Sequence, residues 1–230
     1  NSTKNPLLVS VRSGAAISMP GMMDTILNLG LNEKTVEGFA KQTNNPRFSW
    51  DSYRRFIQLF GKVVFGVDDK KFDYVLDKYK KKQKVKDDSK LNVKSLRNIV
   101  SEYKKICEKH TGRKFPDSPN EQLQLAIEAV FKSWMGERAV VYRRQNKVTR
   151  DIANGTAVNV VTMVFGNMGD DSATGVVFTR SGANGKKELE GDYLINAQGE
   201  DVVAGVRTGK NIEMLKKEMP QSYKELNNAC

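Results

Sequence analysis

The spacing of apolar residues predicts a helical stretch that lies between strand-like segments. The chain begins with a short strand pattern at residues 7–11. Between residues 32 and 135, apolar residues recur at intervals of three and four, which predicts a series of amphipathic helices. After Gly136 the chain changes to short runs that are rich in β-branched residues. The pattern predicts an α+β fold with a helical insertion between the first strand and the later ones.

Capping residues indicate where the predicted helices begin and end. Asn32, with Thr35 as a second candidate, is a suitable N-cap for a helix that runs through Ala40 and is broken by the Asn-Asn-Pro run at 44–46. Gly112 is a typical helix stop. A segment of helical character is also predicted to start near Met22. The other predicted helices occupy residues 50–60, 70–82, 95–109 and 120–134.

The C-terminal part of the chain has the pattern of a small sheet. Residues 157–165 are almost continuously apolar, which predicts a strand that is covered on both faces. Two more strands are predicted at 175–179 and 193–197, with a hairpin loop at 181–185. A last helix is predicted at 211–227, where Pro220 interrupts it.

The stretch from residue 10 to residue 30 contains the groups that a polyphosphate site needs. Arg12 stands where the first strand ends, and Gly14 and Gly21 follow in a run of small residues. Such a loop lets backbone N–H groups approach a ligand, a helix start leaves N–H groups unpaired, and a guanidinium binds two oxygens at once. The alternative is an ordinary strand–turn–helix unit with a salt-bridged arginine.

Composition is that of an ordinary globular protein, with 39% hydrophobic and 28% charged residues in a chain of 230 residues. No apolar run approaches the roughly 20 residues that span a bilayer, so no membrane partner is expected. The two cysteines, Cys107 and Cys230, have no partner spacing for zinc. We therefore expect free thiols in a reducing, cytoplasmic environment, with a plastid or another organelle as the alternative.

A net charge of +11 raises the possibility of nucleic-acid binding. Much of the excess lies in residues 78–86, where Tyr79 is the only aromatic residue and no nucleic-acid motif is present. A solvated helix end is the favoured interpretation, and no nucleic-acid partner is expected. The alternative is a basic binding module that uses this run together with Lys104 and Lys105.

The amino-acid sequences of several segments resemble the nucleotide-binding domain of the pyruvate, phosphate dikinase family. The main segment is Ser-Val-Arg-Ser-Gly-Ala-Ala-Ile-Ser-Met-Pro-Gly-Met-Met-Asp-Thr at residues 10–25. The resemblance continues in order through residues 51–56, 163–169, 178–180 and 196–208. It implies a partial ATP-grasp-type domain, in which ATP lies between two α+β subdomains and helices follow the first phosphate loop. It also implies three segments. These are a strand and phosphate loop at residues 1–31, a helical insertion at 32–135, and a β-rich second part with a C-terminal helix at 136–230.

The resemblance assigns phosphate contacts near the N-terminus. Arg12 matches an arginine that contacts ATP phosphates, while Gly21 and Thr25 match a stretch that supplies a backbone N–H and a hydroxyl. For Thr25 the alternative is a helix hydroxyl that bonds to its own backbone. Asp24 stays unassigned between a helix cap and an indirect metal contact.

Contacts to adenine and ribose are implied further along the chain. The extended segment Val161, Thr162, Met163 and Val164 resembles the one along which this fold binds adenine through main-chain groups. The family often has Gln where this chain has Val161, so the resemblance does not imply a side-chain contact to the base at this position. Without the resemblance, the favoured interpretation of Met163 is a core residue, because methionine commonly fills gaps in cores. Glu200 is a candidate for ribose or water-mediated Mg²⁺ contact, with a surface turn as the alternative; Asp192 and Arg207 are weaker candidates.

The implied activity is that of a phosphotransferase that uses ATP with Mg²⁺. ATP, phosphate and pyruvate would give AMP, pyrophosphate and phosphoenolpyruvate through a phosphohistidine in a separate domain of the same parent chain. His110, the only histidine, lacks the motif of that residue, so no catalytic residue is expected within this sequence. The alternative within the same chemistry is a phosphoenolpyruvate synthase-type water dikinase.

Family members carry an ATP-contacting lysine upstream of the segment that starts this chain, and a metal-binding carboxylate pair downstream of Cys230. The sequence is therefore expected to be a middle portion of the nucleotide domain that is inactive alone. The main Mg²⁺ ligands are expected outside it, and the parent is expected to be a homo-oligomer.

Overall fold

A computed structural model describes residues 2–203 and 208–230; for Glu200 and Val203 only the backbone is described. The chain forms two compact units, Asn1–Met163 and Val164–Cys230. The boundary follows the third strand, so that strand belongs to the first unit. The predicted division into segments 1–31, 32–135 and 136–230 stays a prediction.

Six helices are described in the first unit, and the capping residues define several of their ends. Asn32 accepts from the backbone N–H of Thr35 at 2.8 Å and the Thr35 hydroxyl accepts from the Asn32 N–H at 2.7 Å, so both N-cap candidates take part in one capping box. Gly112 ends the fourth helix with a φ of 73°. The helices are α1 (Glu33–Gln42), α2 (Pro46–Val63), α3 (Asp69–Gln83), α4 (Val93–Thr111), α5 (Pro119–Ser133) and α6 (Glu137–Gln145).

A three-stranded antiparallel sheet forms the rest of the first unit in the part of the chain that is described. Its strands are β1 (Val9–Ala15), β2 (Thr25–Leu29) and β3 (Thr156–Thr162), in the order β2-β1-β3. Helix α5 packs against all three strands. The expected α+β class, with helices inserted between the first strands and the later ones, is confirmed.

The prediction of a helix near Met22 is wrong. The Met22 N–H bonds to the Met19 carbonyl at 3.1 Å in a turn, and Gly21 has a φ of 71°, which is outside the helical region. From Thr25 the chain runs as β2 and pairs with β1. The reason is tertiary: pairing with β1 satisfies the backbone groups of a short segment that has little helical preference alone.

The strand predicted at residues 157–165 exists as β3 (Thr156–Thr162), but the prediction that it is covered on both faces is wrong. Strand β3 pairs with β1 along its length, but no other strand of the described residues pairs with its outer edge. Val160 and Val161 are 46% and 48% exposed. The apolar run is therefore a half-exposed edge strand, because a run of valines alone does not reveal how many neighbours a strand has.

Close helix packing around α2 forms the core of the helical insertion. Helix α2 contacts α1, α3 and α4. A side chain at Gly61 would lie 2.6 Å from the Phe72 ring and 2.9 Å from the Cys107 sulfur, so glycine allows these helices to approach. The rings of Phe56, Phe60, Phe65 and Phe115 form edge-to-face contacts beside them.

A buried carboxylate attaches the segment between α3 and α4 to α2. Asp51 accepts hydrogen bonds from Arg54 at 2.7 Å and Arg55 at 3.3 Å. The same two arginines bond to Asp88, in the 3-10 turn Asp88–Lys90, at 3.1 and 3.3 Å. Burial alone would raise the pKa of Asp51, but Arg54, Arg55 and Arg47 outweigh it and hold this pKa below its usual value.

The second unit is a smaller α+β body. Strands β4 (Ala173–Phe178), β5 (Glu190–Ile195) and β6 (Lys210–Asn211) form an antiparallel sheet whose core contains Tyr193, Ile212 and Leu215. Its helices are α7 (Gly199–Val203), α8 (Leu215–Glu218) and α9 (Pro220–Ala229). The predicted helix at 211–227 is divided because Pro220 occupies the first turn of a new helix, where its missing N–H costs nothing.

Among the described helices, none has both the length and the apolar character that crossing a bilayer requires. Both cysteines are free thiols. Cys107 is fully buried in α4, and burial raises the pKa of its thiol to about 12.

Replacing Asp51 by Asn should destabilise the helical insertion. The substitution removes the buried charge partner of Arg54 and leaves it only the partly exposed Asp88, and breaking a buried pair in this way costs about 3–5 kcal/mol. Because the pKa of Asp51 is lowered on folding, its contribution is complete above the unfolded pKa of about 4 and is lost as the pH falls through the folded value. Urea unfolding followed by tryptophan fluorescence, at neutral pH and in acid, measures both effects.

The control for Asp51→Asn is Glu37→Gln, since the Glu37–Arg97 pair is about half exposed on both sides. Its loss should change the free energy of unfolding by less than about 1 kcal/mol. Equal costs for the two variants would contradict a structural role for the buried cluster.

The two cysteines should differ sharply in reactivity. Only the thiolate is nucleophilic, and Cys107 is both buried and held protonated. A thiol reagent such as dithionitrobenzoate should modify one thiol per native chain and two after unfolding in denaturant. Rapid modification of both thiols in the native protein would contradict the described packing of α4.

Candidate functional site

Arg12 lies on the exposed side of the first sheet. In β1 the side chains alternate, so Val11 is fully buried while Arg12 faces solvent. The Arg12 Nε donates to the Ser10 hydroxyl at 3.1 Å. Among the described residues, no carboxylate forms an ion pair with Arg12, so the salt-bridged arginine of the alternative interpretation is not observed. Its two terminal nitrogens are free to bind an anion.

Thr25 lies directly across from Arg12. The two residues are partners in the pairing of β1 with β2, which places their side chains on the same face of the sheet. The alternative for Thr25, a helix hydroxyl that bonds to its own backbone, is wrong because Thr25 begins a strand. The sheet therefore places a guanidinium and a hydroxyl on one face, and both groups can donate hydrogen bonds.

The loop that contains Gly21 is held by the junction between α5 and α6. Arg138 donates to the Gly21 carbonyl at 3.3 Å and to the Asp24 carboxylate at 3.0 Å. The Asp24 N–H donates to the Ser133 hydroxyl at 3.2 Å. Asp24, left unassigned above, therefore takes part in an ion pair. Since β2 rather than a helix follows, no helix N-terminus supplies N–H groups here, and the backbone donors of this region belong to the loop.

The segment 161–164 offers main-chain groups at the open edge of the sheet. The Met163 N–H donates to the Leu8 carbonyl at 2.9 Å, so this amide is already engaged. Because N–H and C=O groups alternate in direction along an antiparallel strand, those of Thr162 point away from β1. Val164 is 89% exposed, and Met163 is half-buried.

Glu200 and the two weaker candidates belong to the second unit. Glu200 lies in the short helix α7, and nothing is described of its side chain. Asp192 is exposed in β5, and Arg207 lies outside the described residues. Of the predicted residues, the structure thus brings Arg12, Thr25 and the segment at Val161 together on one sheet.

The lysine-rich run and His110 have ordinary surface environments. Lys78 pairs with Glu102 at 3.0 Å and Lys80 pairs with Asp77 at 3.2 Å. His110 is exposed in the last turn of α4, a favourable place for a histidine because the helix C-terminus carries partial negative charge.

The part of the chain that is described has no cluster of side chains that could surround a metal ion without help from a ligand. It contains no group of three or more His, Cys, Asp or Glu side chains that could hold a metal ion. Asp24, the carboxylate in the phosphate-loop region, is already paired with Arg138. These residues do not fit a protein-held cation.

Sequence analysis missed three residues that hold this region in place. Arg138 and Ser133 hold the Gly21 loop, and Ser10 holds Arg12. The only available signal was the spacing of Ser10, two positions before Arg12 and therefore on the same face of a strand. Arg138 and Ser133 are distant in sequence from the loop, and no local pattern identifies them.

Comparison with known proteins gives matches over almost the whole chain. The family model described as "Pyruvate phosphate dikinase, AMP/ATP-binding domain" matches residues 1–229. The chain is 55% identical over 225 residues to a pyruvate, phosphate dikinase of Entamoeba histolytica, covering 97% of this chain and 25% of that protein. It is 54% identical over 224 residues to one of Clostridium symbiosum, with the same coverage. For the Giardia intestinalis protein the identity is 57%, over 94% of this chain and 24% of that protein.

The chain thus spans about a quarter of the length of the curated relatives that it matches. The family model nevertheless matches all but one residue of this chain, residues 1–229 of 230. The chain belongs to the AMP/ATP-binding domain family of pyruvate, phosphate dikinase.

Proposed function

We propose that this chain binds the polyphosphate and adenine of ATP within a longer pyruvate, phosphate dikinase. The observation that carries the proposal is the pairing of β1 with both neighbours. It places the unpaired Arg12 guanidinium opposite Thr25 and on the strand next to residues 161 and 162. An exposed guanidinium with no carboxylate partner is available to a ligand, and its planar donors suit phosphate oxygens.

Each predicted contact has a distinct chemical role in this proposal. Arg12 binds phosphate oxygens, Thr25 donates its hydroxyl, and the backbone at Gly21 supplies an N–H. The main-chain N–H and C=O groups of Thr162 form hydrogen bonds with the edge of adenine. The side chains of Val161, Met163 and Val164 provide apolar surroundings for the base. Glu200 is proposed for ribose, on resemblance alone.

The proposed reaction is that of the longer protein. ATP and phosphate would phosphorylate a histidine in another domain of the same polypeptide, and that histidine would phosphorylate pyruvate. Mg²⁺ would accompany ATP, held by the phosphates and by carboxylates other than those described here. Relatives named as pyruvate, phosphate dikinases favour this reaction over that of a water dikinase.

Two further proposals concern the state of the protein. A reducing compartment such as the cytoplasm is proposed because Cys107 and Cys230 are unpaired. Homo-oligomerisation of the longer protein is proposed from the resemblance only. Nucleic-acid binding is disfavoured because residues 78–86 carry no nucleic-acid motif, and two of their six lysines, Lys78 and Lys80, pair with acidic side chains.

A chimera tests the role of Arg12 in catalysis. This sequence would replace the 224 residues that it matches in the Clostridium symbiosum relative, and phosphoenolpyruvate formation would be followed with saturating pyruvate and phosphate. The chimera should be active, and Arg12→Ala should lower kcat/KM for ATP by roughly 100-fold, because hydrogen bonds from a charged donor are lost.

The matched control for Arg12→Ala is Lys82→Ala, which removes one positive charge from the exposed end of α3. It should leave kcat/KM unchanged. An Arg12→Ala chimera that keeps full activity would contradict the proposal. Salt-dependent binding of duplex DNA that is indifferent to Arg12→Ala would support the nucleic-acid alternative instead.

The 230-residue chain alone should bind ATP only weakly and should not turn it over. Phosphoryl transfer depends on metal charge and fixed positioning of the reacting oxygens, and the described residues contain no group of three or more side chains that could hold a metal ion. Isothermal titration of Mg²⁺ and ATP into the chain should give no micromolar binding, whereas the chimera should bind. Micromolar binding by the chain alone would refute the expectation that the site needs further segments.

A further inference from the structure

Ser10 makes two hydrogen bonds that connect Arg12 to the third strand. Its side chain is buried, with 2% of its surface exposed. The hydroxyl accepts from the Arg12 Nε at 3.1 Å and lies 3.3 Å from the Val161 carbonyl. A hydroxyl has a single proton, and a guanidinium can only donate. The directions are therefore fixed: Arg12 donates to Ser10, and Ser10 donates to Val161.

This arrangement determines which edge of the guanidinium can bind a ligand. An arginine can grip a phosphate either with Nε and one terminal nitrogen or with its two terminal nitrogens. Since the Arg12 Nε is bonded to Ser10, only the two terminal nitrogens remain to bind a ligand. Fixing the long side chain before binding also removes part of the conformational entropy that would otherwise be lost on binding.

We infer that Ser10 is a positioning residue, which orients Arg12 so that its two terminal nitrogens grip the polyphosphate of ATP. This inference rests on the function proposed above. Ser10 does not touch the ligand, and it acts through the guanidinium. Because Ser10 also bonds to the Val161 carbonyl, it fixes the phosphate-binding group relative to the strand proposed to bind adenine.

The hydrogen bond itself can be tested on the 230-residue chain without any nucleotide. The Arg12 Nε–H resonance can be identified by its loss in an Arg12→Lys variant, using ¹H–¹⁵N NMR. It should exchange slowly with solvent in the parent chain and in Ser10→Thr, which keeps a hydroxyl. In Ser10→Ala it should exchange at the rate of an unbonded arginine. Equally fast exchange in the parent chain would overturn the inference.

The functional consequence can be tested with a double-mutant cycle in the chimera. Ser10→Ala should raise KM for ATP by about tenfold, the usual effect of losing a hydrogen bond to a charged group, and Ser10→Thr should restore it. In an Arg12→Ala background, Ser10→Ala should have no further effect, because Ser10 acts only through Arg12.

The possible outcomes separate the inference from the proposed function. If Ser10→Ala raises KM equally with and without Arg12, or lowers Tm without changing KM, its role is only to hold the sheet and the inference is overturned. If Arg12→Ala leaves kcat/KM for ATP unchanged, the proposed function fails. The NMR experiment still reports whether Ser10 holds the guanidinium in that case.

Discussion

The pairing of β1 with β3 is the interaction on which the rest of the structure depends. Ser10 and Val161 are direct partners although they are 151 positions apart in the chain. The entropy lost in closing a loop rises only slowly with its length, so the long separation is tolerated. The helices between the two strands satisfy their own backbone hydrogen bonds. The sheet can thus hold two distant segments in fixed register while the insertion packs around α2.

Sequence patterns predicted the elements whose signals are local. Helices α1 to α5 show clear apolar periodicity and recognisable caps, such as Asn32 and Gly112. Strand β2 was missed because its identity comes from pairing with β1 rather than from its own five residues. Helix α6 was missed because its nine residues carry charges on most faces and only Ala139 is buried.

The candidate site was predictable only in part, for a related reason. Arg12 was predicted to stand where the first strand ends, but it lies in the middle of β1 (Val9–Ala15), where it is exposed and no described carboxylate pairs with it. The surroundings of Arg12 were not predictable. Thr25 lies opposite Arg12 in β2, a segment that was predicted to be helical, and Ser10 bonds to the Val161 carbonyl of β3, which is distant in sequence. Chemistry carried by single residues is visible in a sequence, but contacts made across a sheet are not.

The outer edge of β3 also affects how this polypeptide behaves in solution. Natural edge strands are protected by lysine, proline or a bulge, and β3 has none of these, while Val160 and Val161 are about half exposed. No strand among residues 2–203 and 208–230 pairs with its outer N–H and C=O groups, which can therefore accept an added strand from another molecule. Concentrated preparations of the isolated chain therefore favour self-association, and a charged residue in place of Val160 is a direct way to improve their solubility.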